Sequence, residues 1–136
     1  MKIDSLKLTT CGVTADGGTV ELGFVDSSGA AVCVRLPFDQ AEAVVMTLPS
    51  LLARALQRRT GKPEARYVSD LGEWSVEGAK AQNCLIVTLK TPDGFEVSFG
   101  IPFAACRSLG WTLKREADEA QELAGDRLAA DRIRFN

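Results

Sequence analysis

Apolar and polar residues alternate in short stretches separated by turn signals. Leu6 and Leu8 alternate with polar neighbours, the mark of a half-buried strand. Asp16-Gly17-Gly18 follows as a turn. Val20, Leu22 and Phe24 then point one way, with Glu21 and Gly23 opposite. Ser27-Ser28-Gly29 closes a hairpin, and Val32, Val34 and Leu36 return inward, leaving Cys33 and Arg35 outward. The apolar period next changes from two to about 3.6, through Ala41, Val44, Val45, Leu48, Leu52 and Leu56, which predicts a helix. Asp39-Gln40-Ala41-Glu42 has the form of a capping box, with Asp39 as N-cap and Glu42 at N3. Pro49 falls inside this helix and is expected to kink or split it, because proline cannot bond the carbonyl of Val45. Gly61 and Pro63 predict its end.

The pattern then repeats at an offset of 65. Residues 24–48 align with 89–113: Gly29 with Gly94, Val32 with Val97, Val34 with Phe99, Leu36-Pro37-Phe38 with Ile101-Pro102-Phe103, Thr47-Leu48 with Thr112-Leu113. Trp74 and Val76 are read as the counterparts of Leu6 and Leu8, with three residues lost from the next loop. Leu85, Val87 and Leu89 form the middle strand. Thr91-Pro92-Asp93-Gly94 is a turn, and Phe95, Val97, Phe99 and Ile101 form the third strand. Pro37 and Pro102 end the third strands, where a missing N–H does no harm. A second helix is expected from about Ala104 through Leu123, with Cys106, Leu109, Leu113 and Ala117 buried and an interruption at Gly125. A continuation to about Asp131 is the alternative.

The expected fold is therefore α+β. It is an internal duplication of a β-β-β-α unit, with antiparallel strands in one sheet or two and both helices packed on one face, related by a pseudo-two-fold. Residues 1–136 form one domain of two repeats, about 1–60 and 67–131, joined by a linker at 61–66 and followed by a charged tail. Matching edge strands need cover, and a symmetric dimer is the commonest way identical surfaces meet. A homodimer is expected.

Composition narrows the chemistry. With 136 residues, 46% apolar and 25% charged, the chain is of ordinary globular type. There is no histidine, which excludes Ser-His-Asp and Cys-His catalysis and every His-ligated metal site. The formal charge of −2 speaks against a nucleic-acid binder. No apolar run is long enough to span a membrane, and MKIDSLKLTT lacks the apolar region of a secretory signal. The expected compartment is the cytoplasm. There Cys11, Cys33, Cys84 and Cys106 are expected as reduced thiols; no pair forms C-x-x-C. Asp16-Gly17-Gly18 joins strands and opens no helix, so it is not a phosphate loop.

The candidate surface residues fall into a few groups. Arg54, Arg58, Arg59, Lys62 and Arg66, against Glu64, net +4. They could meet phosphate, but no aromatic lies among them to stack on bases. Glu116, Asp118, Glu119, Glu122 and Asp126 net −5 and could answer them within a subunit or across a dimer. Lys114 to Asp118 and Arg115 to Glu119 are i,i+4 pairs, as on a solvated face. Met46 and Trp111 occupy matching places off the helical stripes, and Phe135 stands in the charged tail. These three could form partner contacts. No catalytic residue, metal ligand or cofactor is expected. The leading expectation is a non-enzymatic protein-interaction or assembly module. The alternatives are a small-molecule binder or carboxylate or thiol enzyme with a pocket between the repeats, and nucleic-acid binding through 54–66.

Overall fold

The computed structural model describes residues 1–134, with side chains except those of Lys80 and 131–134. The chain divides into two compact units, Met1–Val68 and Ser69 onward. The first contains β1 (Ser5–Val13), β2 (Thr19–Asp26), β3 (Ala31–Pro37) and α1 (Phe38–Thr60). The second contains β4 (Glu73–Ala79), a 3-10 turn at Lys80–Gln82, β5 (Cys84–Lys90), β6 (Glu96–Pro102) and α2 (Phe103–Arg134). Each unit has its own three-stranded antiparallel meander, β1-β2-β3 or β4-β5-β6, followed by a helix. The β-β-β-α unit is thus present twice.

The strand pairing carries the duplication residue by residue. In the first sheet three rows share a face: Leu8–Phe24–Val32, Cys11–Leu22–Val34 and Val13–Val20–Leu36. In the second the rows are Trp74–Leu89–Val97, Val76–Val87–Phe99 and Gly78–Leu85–Ile101. The opposite faces are more polar. Arg35 Nε meets Glu21 Oε1 at 2.9 Å, Lys90 Nζ lies 3.7 Å from Glu73, and the hydroxyls of Thr88 and Ser98 are 2.8 Å apart. Cys33 and Arg35 lie on this outward side, as the alternation predicts.

The first strands correspond differently from the expected alignment. Trp74 is the counterpart of Leu8 and Val76 of Cys11, with no residues lost from the loop. The cause is irregularity in β1, whose register shifts between Ser5 and Lys7 and again between Leu8 and Thr10. A bulge adds a residue to one strand and flips the phase after it. Leu6 falls at the first shift and Cys11 joins the apolar face.

Both turns between the second and third strands have the same backbone bonds. Gly29 N–H donates to the Asp26 carbonyl and Gly94 N–H to the Thr91 carbonyl, each at 3.0 Å. Gly29 and Gly94 have φ of 87° and 97°, where a side chain would be strained. The turn between β1 and β2 is closed by Asp16, whose Oδ1 accepts from Gly18 N–H and Thr14 Oγ1.

The helices correct three expectations: the N-cap at Asp39, a split at Pro49 and an interruption at Gly125. Pro37, not Asp39, is the N-cap of α1, and no side chain caps it. The Phe38 N–H instead donates to the Gly18 carbonyl at 2.9 Å, so the turn before β2 does part of the capping. Asp39 sits in the first turn, where its charge suits the helix dipole. The helix runs unbroken through Pro49, and neighbouring hydroxyls bond carbonyls of the same region: Thr47 Oγ1 to Ala43 and Ser50 Oγ to Thr47. Gly61 ends it in the left-handed conformation, φ 67°. The second helix passes through Gly110 and Gly125 without interruption and continues to Arg134.

Each helix touches the sheet of its own unit, α1 against β3 and β2, α2 against β6 and β5. Even so, no described residue is buried. Length is one reason. A seven-residue strand spans about 23 Å, whereas helices of 23 and 32 residues span about 35 and 48 Å. Much of the stripe expected to face the core is open instead: Val44, Val45, Leu48 and Leu52 on α1, Leu109 and Leu113 on α2 are exposed, while Ala41, Leu56 and Cys106 are half-buried.

Candidate interaction surface

Apolar exposure is the dominant feature of this chain. On the sheet faces Leu8, Val13, Trp74, Val76 and Phe99 are open to solvent, Phe99 at 52% of its full area. The central strands β2 and β5 are half-buried along their whole length. Tyr67, Val68 and Leu71, between α1 and β4, are exposed as well. The accessible surface totals 11704 Å² for 14.6 kDa.

The basic residues cluster at the end of α1. Arg54 and Arg58 are one helical turn apart and line a shallow groove with Gln57, Gly61 and Pro63. The chain after the helix is tied back there: Gln57 Nε2 donates to the Ala65 carbonyl at 3.1 Å, and Lys62 N–H donates to Thr60 Oγ1 at 3.3 Å. Arg59, Lys62 and Arg66 are exposed but lie outside the groove lining. None of the five bases forms an ion pair with a described residue.

On α2 the acidic residues are partly answered locally. Lys114 pairs with Asp118 at 2.5 Å, and Arg115 with Glu116 at 2.7 Å and with Glu119 at 3.9 Å. The Arg115 guanidinium also sits over Trp111, 4.9 Å from the ring centre. Trp111, Lys114, Arg115, Asp118, Glu119 and Glu122 line a second shallow groove. Glu122 and Asp126 form no ion pair with a described residue. Trp111 and Met46 lie on helices that start at matching residues, Phe103 and Phe38, and are 64% and 77% exposed. Phe135 lies outside the described residues.

The remaining reactive groups are dispersed. All four cysteines are free thiols. Cys33 is exposed on the outward sheet face, and Cys84 is half-buried on the matching face of the second sheet. Cys106 is half-buried with its thiol 3.4 Å from the Ile101 carbonyl, consistent with a packing role. Among the described residues no three Cys, Asp or Glu side chains gather as a metal site would require. Asp16, Asp26 and Asp93 have carboxyls held below the usual range, the first mainly by the Gly18 N–H, the others mainly by the hydroxyls of Ser28 and Thr91. These are turn-closing carboxylates. Among the described residues no helix is long and apolar enough to cross a membrane. No known protein family, curated protein or solved structure matches the chain.

Sequence periodicity found the strand faces and the stripes but not their exposure. It also passed over Cys11 and the apolar run Tyr67, Val68 and Leu71. The only signal for the latter was three large apolar residues in a stretch that forms no regular element.

Proposed function

We propose that this protein is a non-enzymatic assembly module of the cytosol that works as a homodimer and offers a face to another protein. The observation that carries this reading is the exposed surface: both sheet faces and both helical stripes carry unburied apolar side chains. Large contiguous apolar patches are uncommon on monomers and mark interaction sites. Hydrophobic burial is the main drive to folding, so a chain that exposes this much apolar area gains by covering it, and a second copy is a cover always at hand. The lack of histidine removes the commonest catalytic constellations, and four free thiols suit a reducing compartment. Sedimentation velocity from nanomolar to micromolar protein tests the reading. A species of twice the chain mass is expected, with loss of folded signal as it dissociates. A folded species of 14.6 kDa persisting at micromolar concentration overturns it.

A further inference from the structure

We propose that Asp16–Gly17 and Asp93–Gly94 are sites of backbone modification, where the chain isomerises to isoaspartate when the turn opens, and that the Thr14 and Thr91 hydroxyls hold those turns closed. They are the two Asp–Gly steps of the sequence, and no Asn–Gly step exists. Glycine carries no Cβ, so its nitrogen is approached more closely than that of any other residue.

The reaction needs only the chain and water. The Gly nitrogen bonds to the Asp Cγ, and the carboxyl OH leaves with the amide proton as water. A second water then opens the five-membered imide. Addition at Cγ restores aspartate. Addition at the main-chain carbonyl carbon breaks the old peptide bond and leaves the backbone running through Cβ and Cγ, which is isoaspartate.

Both steps sit in the same four-residue frame, Thr-x-Asp-Gly, at places that are not repeat counterparts: between β1 and β2 in the first unit, between β5 and β6 in the second. In each, the Gly N–H donates to the Thr carbonyl, Gly17 to Thr14 at 2.8 Å and Gly94 to Thr91 at 3.0 Å. In each, the Thr hydroxyl donates to the Asp carboxylate. The same hydroxyl accepts from an amide across the turn, Thr19 at 3.1 Å and Phe95 at 3.0 Å. The attacking nitrogen thus has its proton engaged, and the carboxylate is drawn to the hydroxyl. The form that loses water is the neutral acid. Hydrogen bonds keep that form scarce by favouring the carboxylate, chiefly the Gly18 N–H at Asp16 and the Thr91 hydroxyl at Asp93. Every one of these contacts lies inside a single turn.

The consequences differ between the turns. Isoaspartate adds one backbone atom to a ring closed by the Gly–Thr bond. The Gly18 carbonyl next to Asp16 also accepts the Phe38 N–H at the start of α1, at 2.9 Å. Modification there loosens a helix start as well as a hairpin. The second turn makes no such bond to a helix among the described residues.

Incubating the full-length protein at neutral pH, with peptide mapping by electron-transfer mass spectrometry, tests the proposal. In urea, isoaspartate is expected at Asp16 and Asp93 ahead of the other aspartates. In the folded protein both sites are expected to form it at least about tenfold more slowly, because reaction waits on local opening. Thr14→Val and Thr91→Val keep the shape and lose the hydroxyl. Each is expected to speed isomerisation at its own aspartate by about threefold to tenfold in the folded state, the scale that one or two lost hydrogen bonds permit. The other site and the rates in urea stay unchanged. Thr91→Ser keeps the hydroxyl and is expected to match wild type. Valine variants that isomerise at the wild-type rate overturn the role of the hydroxyls. Other aspartates reacting first in urea, or a folded wild type that reacts at these steps as fast as in urea, overturns the sites. Should a valine variant fail to fold, the ratio of folded to urea rates in wild type decides.

Discussion

In β2 Val20 faces Leu36, and sixty-five residues on, in β5, Leu85 faces Ile101. The same offset relates Leu22–Val34 to Val87–Phe99 and the starts of the two helices, Phe38 and Phe103. After those starts the repeats diverge. The first helix stops at left-handed Gly61; the matching position of α2 is Asp126, and α2 continues. Arg54 matches Glu119, and Gln57 matches Glu122. The contrast is physical. A ladder fixes each residue of the central strands β2 and β5 against two partners, and a slip of one turns the whole apolar set outward. An exposed helical face carries no such restraint within its own unit. Its charge can reverse, as it does from Arg54 to Glu119.

The most forceful way to break this comparison is to truncate matched positions on the two sheet faces. Phe99→Ala and its counterpart Val34→Ala remove apolar atoms from residues that the chain alone leaves open or half-buried. Surface truncation would change stability by no more than about 0.5 kcal/mol. If the second copy covers the faces, Phe99→Ala is expected to cost about 3–5 kcal/mol. Val34→Ala should cost less, because fewer atoms leave. Urea unfolding at a fixed dimer concentration reads both. Two near-neutral results would mean that the sheet faces stay solvated.

Much of this architecture was legible in the residues. Period-two alternation placed Val20, Leu22 and Phe24 on one face, and the duplicated Pro-Phe corner located both helix starts. Gly61 signalled a helix end because only a residue tolerant of positive φ fits there. What escaped did so for identifiable reasons. The bulge in β1 leaves no mark in composition, so Leu6 was placed in step with Leu8 and Cys11 was overlooked. Asp39 and Glu42 have the letters of a capping box, yet a backbone carbonyl from Gly18 already meets the first helical N–H. The exposed stripes mark the deeper limit. An amphipathic pattern says that a face needs cover, and it reads the same whether the cover comes from the same chain or from another.

A sharper test lies where the polar sheet faces differ. Gly23 of β2 matches Thr88 of β5. In the second sheet Thr88 shares a hydrogen bond with Ser98 across the strand. In the first, the irregular β1 brings the Thr10 hydroxyl over Gly23, leaving no space for a Cβ. Gly23→Thr, which copies the second repeat into the first, is expected to destabilise by about 1–3 kcal/mol through overpacking. The reverse change, Thr88→Gly, should cost about 0.5–1 kcal/mol from backbone freedom. Chemical denaturation of both variants checks the order. A harmless Gly23→Thr would mean that Thr10 turns aside freely and that the irregularity does not dictate glycine.

The smallest expected effect separates the two matched hairpin turns. Asp26 opens the first and accepts from the Ser28 hydroxyl and from the amides of Ser28 and Ala30. Thr91 holds the matching place in the second turn, and the carboxylate has moved to Asp93, which accepts from the Thr91 hydroxyl. Both carboxyls are held below their ordinary range, Asp26 chiefly by Ser28 and Asp93 chiefly by Thr91. A carboxylate with a lowered folded pKa stabilises the fold above its unfolded pKa. That contribution fades as pH falls through the lower folded value. Both turns should therefore loosen only below about pH 4, the ordinary range for aspartate. Asp26 engages two backbone amides that shape its turn, whereas Asp93 is held mainly by a side chain. Acidification is thus expected to raise amide exchange at Ser28 and Ala30 more than at Phe95. Site-resolved NMR titration reads the difference, and equal exchange at both turns would mean that the shared backbone bonds, not the carboxylates, hold the hairpins shut.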